Sequence, residues 1–365
     1  NPFKNLGMDN PNGSQRYYIG HVNWTGFNGL IEYTGSDKFS AVLQVGTSSQ
    51  DYQWEGFYTA APDTKSRVVT VNGGYIKGGA NYRANDNSNF FFNVGQIMRP
   101  PSFDGVFPNA DYDFEEADEI LNESFTSFEL GYGFRSSNFK GTINAYHTVW
   151  GDRTLRRSTS IDDQGVRIIY SGVEQTHQGV EAEMTWYPSS RLRVKGMASL
   201  GDWKYTKNFQ GDAYFIDNNQ PAGTTGTLYL DGVKIGDAAQ TVLYLGLDYK
   251  LSSKLSVDVD MMSFDNLHGR FGPLDSEFNS ANNRGSIKLP SWGTTDLGAT
   301  YRFTLLGYES RARLNINNLF DKEYLSQSQT NFHNDGGRTW NGVNVENNVY
   351  FGKGTTWNLG LNINF

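Results

Sequence analysis

Apolar and polar residues alternate along the last eleven residues of the chain, 355–365. Every second position is apolar, at Trp357, Leu359, Leu361, Ile363 and Phe365, and the positions between them are polar or glycine. Successive side chains of a β-strand point to opposite faces, so this segment predicts a strand with one apolar face and one polar face. Its length suits a tilted strand that crosses a bilayer, which takes about 9–11 residues. A strand of a soluble β-sandwich can show the same alternation, so the interpretation depends on whether the pattern is repeated.

The pattern is repeated, and it predicts thirteen strands, at 24–34, 38–58, 72–84, 89–99, 123–135, 138–151, 177–187, 191–204, 240–251, 254–264, 293–303, 308–319 and 355–365. Short connections rich in turn-forming residues alternate with long ones, at 59–71, 100–122, 152–176, 205–239, 265–292 and 320–354. Tight turns at one rim and long loops at the other are typical of an outer-membrane meander. A Greek-key sandwich would not put every long connection at one end. We therefore expect an all-β fold, an antiparallel up-and-down transmembrane β-barrel, with residues 1–365 as a single domain.

Charged residues fall on the polar face of several predicted strands. The predicted inner, lumen-facing set is Glu181, Glu183, Arg193, Lys195, Arg311 and Arg313. The carboxylates of 177–187 would lie opposite the cations of 191–204, and cross-strand pairs of this kind contribute roughly 0.2–1 kcal/mol each. Alternatively, these are ordinary exposed pairs on a solvated sheet. A soluble sheet would need a second layer over its apolar face, and no helix is evident to supply one.

Composition limits the classes of protein to which the chain can belong. Hydrophobic residues make up 37% and aromatic residues 15%, the mean hydropathy is -0.56, and no apolar run is long enough for a membrane-spanning helix. Barrels give no such run, because every second residue faces a polar interior. The net charge of -8 argues against a nucleic-acid partner. The absence of Cys excludes disulfides, thiolate metal sites and Cys nucleophiles.

The strand count indicates a part of a larger barrel. Single-chain bacterial barrels have even strand numbers, and an open edge in lipid leaves unpaired backbone groups that cost several kcal/mol each. With thirteen strands, the segments 24–34 and 355–365 would both be open edges. We therefore expect a C-terminal fragment, and the alternative is a barrel of 12 or 14 strands that closes alone. The chain opens with Asn1-Pro2-Phe3 and shows no signal peptide, so we expect that processing or truncation removed the true start.

Several segments resemble those of TonB-dependent outer-membrane receptors. The segment Asn317-Asn318-Leu319-Phe320-Asp321-Lys322-Glu323-Tyr324 resembles that family's "NNLFDKEY" segment, and 351–365 is similar to its final strand. The stretches 99–103, 122–132 and 177–181 resemble its "RPPSF", "E-…-YELG" and "HQGVE" segments. The resemblance implies a 22-stranded barrel, of which the thirteen strands would be 10 to 22. It also implies an N-terminal plug domain and a TonB box, neither of which is present in these residues.

The leading functional hypothesis is an active-transport receptor for a scarce nutrient, such as a siderophore, a haem- or cobalamin-like molecule or a glycan. The expected partners are outer-membrane lipid and lipopolysaccharide, the TonB complex through the missing N-terminal region, the barrel-assembly machinery and the small-molecule or oligosaccharide ligand. The alternating terminal strand, ending on Phe365, is interpreted as the signal that this machinery recognises. No enzymatic activity and no cofactor are expected, because no G-x-S-x-G motif or catalytic constellation is evident. The alternatives are a passive porin or barrel enzyme complete in this chain, and a secreted β-sandwich adhesin.

Two sets of residues are candidates for a binding site. Aromatic residues assigned to the long loops could stack on a ligand or belong to an interfacial girdle, and the candidates are Trp203, Tyr205, Tyr214, Phe332 and Trp340. The acidic loop 100–122 could hold a cation through oxygen ligands, and its weak metal candidates are Asp111, Asp113, Glu115 and Glu116. Their spacing does not match an EF-hand, so a solvated acidic loop is the alternative. The five His residues are scattered and show no metal-ligand spacing.

Overall fold

A computed structural model of the chain describes residues 18–56, 64–108, 116–117, 119–161, 164–215, 220–270, 272 and 276–364. The elements are, in order, β1 (Tyr18–Tyr33), β2 (Phe39–Gly56), β3 (Thr64–Lys65), β4 (Val69–Asn85), β5 (Ser88–Arg99), α1 (Phe103–Val106), β6 (Glu123–Arg135), β7 (Phe139–Ile161), β8 (Gln164–Ser189), β9 (Leu192–Tyr205), β10 (Phe209–Phe215), β11 (Pro221–Leu228), β12 (Thr241–Lys250), β13 (Leu255–Asp265), a 3-10 helix (Ser276–Asn279), β14 (Trp292–Leu305), β15 (Tyr308–Asn317), β16 (Leu325–Ser328), β17 (Thr339–Trp340), β18 (Val343–Asn344), β19 (Val349–Phe351) and β20 (Thr356–Asn364). No helix in the described part of the chain has the length and apolar character needed to cross a membrane.

Thirteen long strands form one antiparallel sheet in which each strand pairs with its neighbours in chain order. The order is β1-β2-β4-β5-β6-β7-β8-β9-β12-β13-β14-β15-β20. These strands overlap all thirteen predicted segments, so the up-and-down antiparallel architecture is confirmed. Strands β1 and β20 are the two edges of the described sheet, as the odd strand count predicted. We call the end with the tight connections the short-turn end and the opposite end the long-loop end.

Register places the apolar positions of neighbouring strands side by side. One row across seven strands is apolar throughout, and it consists of Trp186, Val194, Leu247, Val259, Leu297, Ile316 and Trp357. Many of the large apolar side chains on this face are exposed, including Leu130 at 61% and Leu359 at 67%. Monomeric soluble proteins rarely expose contiguous apolar patches larger than a few hundred Å². We call this surface the apolar face and the opposite surface, which carries the alternate residues, the polar face.

The buried hydrophobic residues lie at the long-loop end, in three separate cores. The first core joins β8, β10, β11 and the 3-10 helix, and it contains Val166, Ile168, Tyr170, Val173, Tyr205, Phe209, Ala213, Leu228, Leu230, Val233 and Phe278. The second contains Tyr52, Trp54, Val69, Val71, Val106 and Phe107. The third contains Leu267, Ile287, Leu289, Leu325 and Val343, from the two loops that precede β14 and β20. Fully burying one such side chain contributes about 1.5–3 kcal/mol to the stability of the fold. The packed cores at the long-loop end therefore stabilise the long loops.

The first core depends on a strand extension and a hairpin that the sequence analysis did not predict. Strands β7 and β8 continue past the predicted ends at 151 and 177 and form a long hairpin. The hairpin β10–β11 then pairs with the outer part of β8, from Val166 to Tyr170. Because this part of β8 is buried on both faces, with Val166 at 0% and Arg167 at 6% exposure, it shows no apolar–polar alternation.

The segment Asn317–Tyr324 connects the end of β15 to the last long loop. The side chain of Asn318 is buried, donates to the carbonyls of Lys322 and Lys353 at 3.0 Å each, and accepts from the Lys322 amide at 2.9 Å. At the end of the segment, Tyr324 stacks on Trp292 with ring centroids 3.8 Å apart. Asn318 has a φ of 49°, a left-handed conformation that Asn tolerates better than most residues. The motif therefore positions the start of β20.

Candidate ligand-binding site

Aromatic rings and cations form a stack on the polar face at the long-loop end of β5, β6 and β7. The rings of Phe125 and Trp150 are opposite each other in register and stack with centroids 5.0 Å apart and an interplanar angle of 25°. The guanidinium of Arg99 lies 5.2 Å from the centroid of Phe125, and that of Arg153 lies 3.8 Å from the centroid of Trp150. Glu123 pairs with Arg99 and accepts from Nε1 of Trp150 at 3.3 Å. We call these five residues the aromatic ladder.

The two cations of the ladder differ in how their charge is compensated. Arg99 forms an ion pair with Glu123, whereas Arg153 forms no ion pair within the described residues. The Nε atom of Arg153 is buried and has no hydrogen-bond partner there. A buried polar group without a partner costs about 1–3 kcal/mol, and more when it is charged. Because it forms no ion pair with a described residue, the guanidinium of Arg153 is a candidate group for binding an anion.

A second aromatic group lies on the same face in β7, β8 and β9. The indole Nε1 of Trp203 donates to the hydroxyl of Tyr146 at 2.9 Å, and the ring of His177 lies 5.5 Å from the Trp203 ring. This group adjoins the ladder, because His177 pairs with Thr148, two residues before Trp150 on the same face. We call Tyr146, His177, Trp203 and the ladder together the aromatic cluster.

The chemistry of the aromatic cluster suits a ligand that is planar and negatively charged. Flat rings stack on planar groups, with about 0.5–1.5 kcal/mol per aromatic pair beyond the buried area. A desolvated guanidinium beside them attracts an anion, and Glu123, Tyr146 and His177 place a carboxylate, a hydroxyl and an imidazole on the same face. Apolar walls with a few placed polar groups are the usual composition of small-molecule sites.

The predicted lumen-facing residues lie on the polar face, and several form ion pairs there. Arg193 donates through two nitrogens to Asp248 at 2.9 Å each, and Lys195 lies 3.3 Å from the same carboxylate. Arg313 reaches across β14 and binds both oxygens of Asp258 at 2.8 and 2.9 Å. Bidentate Arg–carboxylate pairs fix geometry as well as charge.

The prediction that the carboxylates of β8 pair with the cations of β9 is wrong. Glu181 is opposite Ser199 and Glu183 is opposite Met197, and among the described residues neither forms an ion pair. Instead, Glu181 accepts from the Ser199 hydroxyl at 3.3 Å. Lys195 is instead opposite Thr185, because the acidic positions of β8 lie further from the short turn than the cationic positions of β9. Arg311 also has no acid opposite it, since its partner in register is Arg302.

Three of the five predicted loop aromatics belong to strands β9 and β10. Trp203 lies in β9, where it belongs to the aromatic cluster, and Tyr214 lies in β10. Tyr205 ends β9 and is only 6% exposed, because it packs in the first hydrophobic core. A ligand therefore has little access to its ring.

The remaining two aromatics, Phe332 and Trp340, lie in the last long region before β20. Phe332 is 48% exposed. Trp340 lies in β17 and packs edge-on against Phe351 at 5.2 Å. The five aromatics thus belong to separate substructures and do not form one continuous stack.

The predicted acidic site lies mainly outside the described residues, where Asp111, Asp113 and Glu115 are found. Glu116 is described, and both of its oxygens accept from Arg67 at 2.5 Å. Its carboxylate is thus engaged by a guanidinium. Within the part of the chain that the structure describes, no group of three or more His, Asp or Glu residues could hold a metal ion.

The sequence analysis missed the aromatic ladder, although a signal was present. Phe125 shares a face with Ser127 and Glu129, and Trp150 shares one with Thr148 and Asn144. Aromatic residues at polar-face positions near the ends of two paired strands could have been identified as a stack. The cation positions at Arg99 and Arg153 could not, because they depend on the register at the strand ends.

Comparison with known proteins establishes the family. The family "TonB dependent receptor-like, beta-barrel" matches residues 2–319. This chain belongs to the TonB-dependent receptor β-barrel family. A search of curated proteins finds no match. The fold, a large part of an up-and-down receptor barrel, therefore agrees with the family.

Solved structures share the fold of this receptor chain at low sequence identity. The copper transporter OprC aligns with a TM-score of 0.62 at 13% identity, over 95% of this chain and 48% of its own. The siderophore receptor PiuA from Acinetobacter baumannii aligns with a TM-score of 0.65 at 13% identity, over 94% and 43%. The ferric citrate transporter FecA in its unliganded form aligns with a TM-score of 0.60 at 10% identity, over 96% and 46%. The receptor chain thus spans less than half the length of these three structures.

Proposed function

We propose that this chain forms thirteen strands of the wall of an outer-membrane receptor, which binds a scarce nutrient and imports it with energy from the TonB complex. The observation that carries the proposal is the continuous exposed apolar face on a sheet whose opposite face is polar. In an outer-membrane barrel the apolar face meets lipid and the polar face lines the lumen. Lipid and lipopolysaccharide are then the partners of the apolar face.

The aromatic cluster supports a role in ligand capture. It lies at the long-loop end, which is extracellular in bacterial outer-membrane barrels. Its stacked rings and Arg153, which forms no ion pair within the described residues, suit a planar, anionic nutrient such as a siderophore or a haem-like molecule. Binding and transport, rather than catalysis, is the activity that we propose.

The polar face supplies further contacts. In this proposal Glu181, Glu183, Arg193, Lys195, Arg311 and Arg313 face the lumen and contact or electrostatically position a plug. The exposed Phe332 and the partly buried Trp340 would contribute to the rim around the ligand. Metal binding by Asp111, Asp113, Glu115 and Glu116 is not part of the proposal, since Glu116 already binds Arg67.

The apolar positions of β20 carry the proposed assembly signal. Trp357, Leu359 and Leu361 are 72%, 67% and 60% exposed on the edge strand, where Ile363 follows them and the predicted Phe365 lies outside the described residues. An exposed edge with free backbone groups can add a strand from another protein. Deleting Phe365 from the full-length protein should reduce outer-membrane insertion, and unchanged amounts of inserted protein would refute the signal.

Uptake in cells tests the transport function. Cells that carry or lack the full-length gene are supplied with radiolabelled ferric catecholate, ferric citrate, haemin, cyanocobalamin, cupric ion or a maltodextrin. Uptake of at least one compound should depend on both the gene and an intact TonB complex. If no uptake requires TonB, and small solutes instead enter at rates set by their size, the protein is a passive porin and the proposal is wrong.

A further inference from the structure

A second hollow opens on the polar face below the aromatic ladder, across β2, β4, β5 and β6. Its volume is 370 Å³, which falls within the usual range for small-molecule sites. Phe125 of the ladder lines its upper side, and the hollow follows β6 through Ser127 to Glu129. These four residues of strand cover about 14 Å toward the short-turn end. We call this space the lower hollow.

Glycines form the floor of the lower hollow. A Cβ atom at position 95 would lie 3.2 Å from Cγ of Lys77, and one at position 79 would lie 2.7 Å from Oδ1 of Asn93. The side chains of Lys77 and Asn93 therefore lie along the wall, over Gly95 and Gly79. The hollow stays open because neither glycine projects a side chain into it.

Two opposite charges line the lower hollow and do not pair with each other. The ammonium of Lys77 is exposed, lies 5.1 Å from the ring centroid of Tyr75, and forms no hydrogen bond or ion pair with a described residue. The half-buried Glu129 accepts from the amides of Asn93 at 2.9 Å and Asn144 at 3.0 Å, and no described cation pairs with it. The two charged residues are two strand-to-strand steps apart, about 10 Å.

A free amide group lies beside the cation. Gln44 is directly opposite Lys77 in register, and its side chain makes no hydrogen bond within the described residues. Lys77 and Gln44 together supply donors on one side of the hollow. Each oxygen of Glu129 accepts one amide and can accept a further hydrogen bond, because a carboxylate oxygen has two lone pairs.

The charge pattern selects the kind of group that fits the lower hollow. A simple anion would be attracted by Lys77 and repelled by Glu129, and a simple cation would meet the reverse. An uncharged group would leave both charges without a counter-ion. A group that carries a carboxylate and an ammonium close together complements both charges, and charge-assisted hydrogen bonds are roughly twice as strong as neutral ones.

We infer that the lower hollow binds a zwitterionic α-amino acid group of the transported compound. This inference rests on the proposed function, because it takes the polar face as the lumen wall and the ladder as part of the ligand site. The carboxylate of the group accepts from the ammonium of Lys77 and the amide of Gln44, and its ammonium donates to Glu129. The transported compound thus carries an α-amino acid group beside the planar, anionic part that meets the ladder.

A binding titration of the full-length receptor in detergent tests the inference directly. The lysine side chains are dimethylated with isotope-labelled methyl groups, and the NMR signal of Lys77 is identified by its absence in Lys77→Arg. Alanine, the simplest chiral α-amino acid, should shift this signal in a saturable way. The matched control is Lys250, an exposed cation of the polar face without an ion pair to a described residue; its signal should not move. A Lys77 signal that does not respond to alanine would overturn the inference.

Lactate tests the role of the ligand's ammonium, because it differs from alanine by a hydroxyl in place of the ammonium. Lactate should bind about ten-fold more weakly than alanine, since a neutral donor replaces a charged one beside Glu129. In Glu129→Gln this preference should disappear, while the Lys77 signal still responds to both compounds. Equal affinities for alanine and lactate in the parent receptor would overturn the inference without any variant.

Competition in cells connects the lower hollow to transport. Alanine, at the concentration that saturates the Lys77 signal, should lower the initial rate of TonB-dependent uptake of the compound identified above, and lactate at the same concentration should not. Uptake that is insensitive to alanine would show that the hollow does not bind the transported compound. If no compound shows TonB-dependent uptake while Lys77 still binds alanine, the proposed function alone is refuted.

Discussion

The ion pair between Arg313 and Asp258 depends on a glycine between them. Arg313 reaches from β15 across β14 to β13, and it passes over Gly298. A Cβ atom at position 298 would lie 2.1 Å from Oδ2 of Asp258 and 2.6 Å from Nη2 of Arg313. The substitution Gly298→Ala must therefore displace both groups and break their two hydrogen bonds.

The magnitude follows from two opposing effects. Hydrogen bonds to charged groups contribute about 1.5–3 kcal/mol each when they are shielded. The Arg313 side chain is 40% exposed, so solvent screening reduces the loss to about 1–2 kcal/mol in total. Replacing glycine with alanine also restricts the unfolded chain, which stabilises the folded state by about 0.4–1 kcal/mol. The net expectation is a loss of roughly 0.5–1 kcal/mol.

A double-mutant cycle isolates the contribution of the ion pair. In the background Asp258→Ala/Arg313→Ala the obstruction is gone, so Gly298→Ala should stabilise the receptor by about 0.4–1 kcal/mol. The free energy of unfolding of the full-length receptor in detergent is measured by tryptophan fluorescence in urea. The expected result is a reversal of sign between the two backgrounds. The same change in both backgrounds would refute the assignment of Gly298 as the gap that the ion pair needs.

Three further predictions concern the loops and the aromatic cluster. The hydrogen bond from Arg284 lowers the pKa of Glu277 from 4.5 to about 2. The ionised Glu277 carboxylate therefore stabilises the fold fully above about pH 4.5, and this stabilisation is lost as the pH falls toward 2. Hydrogen exchange of the 3-10 helix, corrected for intrinsic rates, should rise over this range in the parent and not in Glu277→Gln, and identical profiles would contradict the assignment. Asn318→Ala should lower the free energy of unfolding by about 1–3 kcal/mol, because it removes three part-buried hydrogen bonds to the backbone of Lys322 and Lys353. A change below the error of urea denaturation would contradict this role. Trp150→Ala and Arg153→Met should each weaken binding of the transported compound by about ten-fold. Binding is measured by titration on cells and normalised to the amount of inserted protein. An equal loss of affinity from an aromatic-to-alanine change on the apolar face would argue against a specific site.

The sheet could be predicted because its signal is local. Each spanning strand has one face toward an apolar environment and one toward a polar environment. Apolar and polar residues therefore alternate with a period of two in segments such as Thr356–Asn364. The same reasoning fails where both faces of a strand are buried, as in the part of β8 from Val166 to Tyr170. The sequence therefore predicts a long loop where the hairpin β10–β11 covers this part of β8.

The candidate site could be predicted only in part, because side-chain neighbours depend on register. The positions of Arg193 and Glu181 on the polar face follow from alternation. Their partners do not, because the pairing register decides which residues are opposite. Trp203 was identified as a candidate from its residue type, yet its contacts with Tyr146 and His177 required the pairing of three strands.

A nitroxide scan of β12 tests the central claim, that the apolar face meets lipid and the polar face lines a lumen. The chain contains no Cys, so single cysteines in the full-length receptor can be labelled if the remaining sequence also lacks Cys. The apolar-face positions are Leu243, Leu245, Leu247 and Tyr249, and the polar-face positions are Tyr244, Gly246 and Asp248. In lipid vesicles, collision with oxygen should be high at the first set and collision with a water-soluble nickel chelate should be high at the second, with a period of two. Equal accessibility to the nickel chelate at both sets would contradict the account.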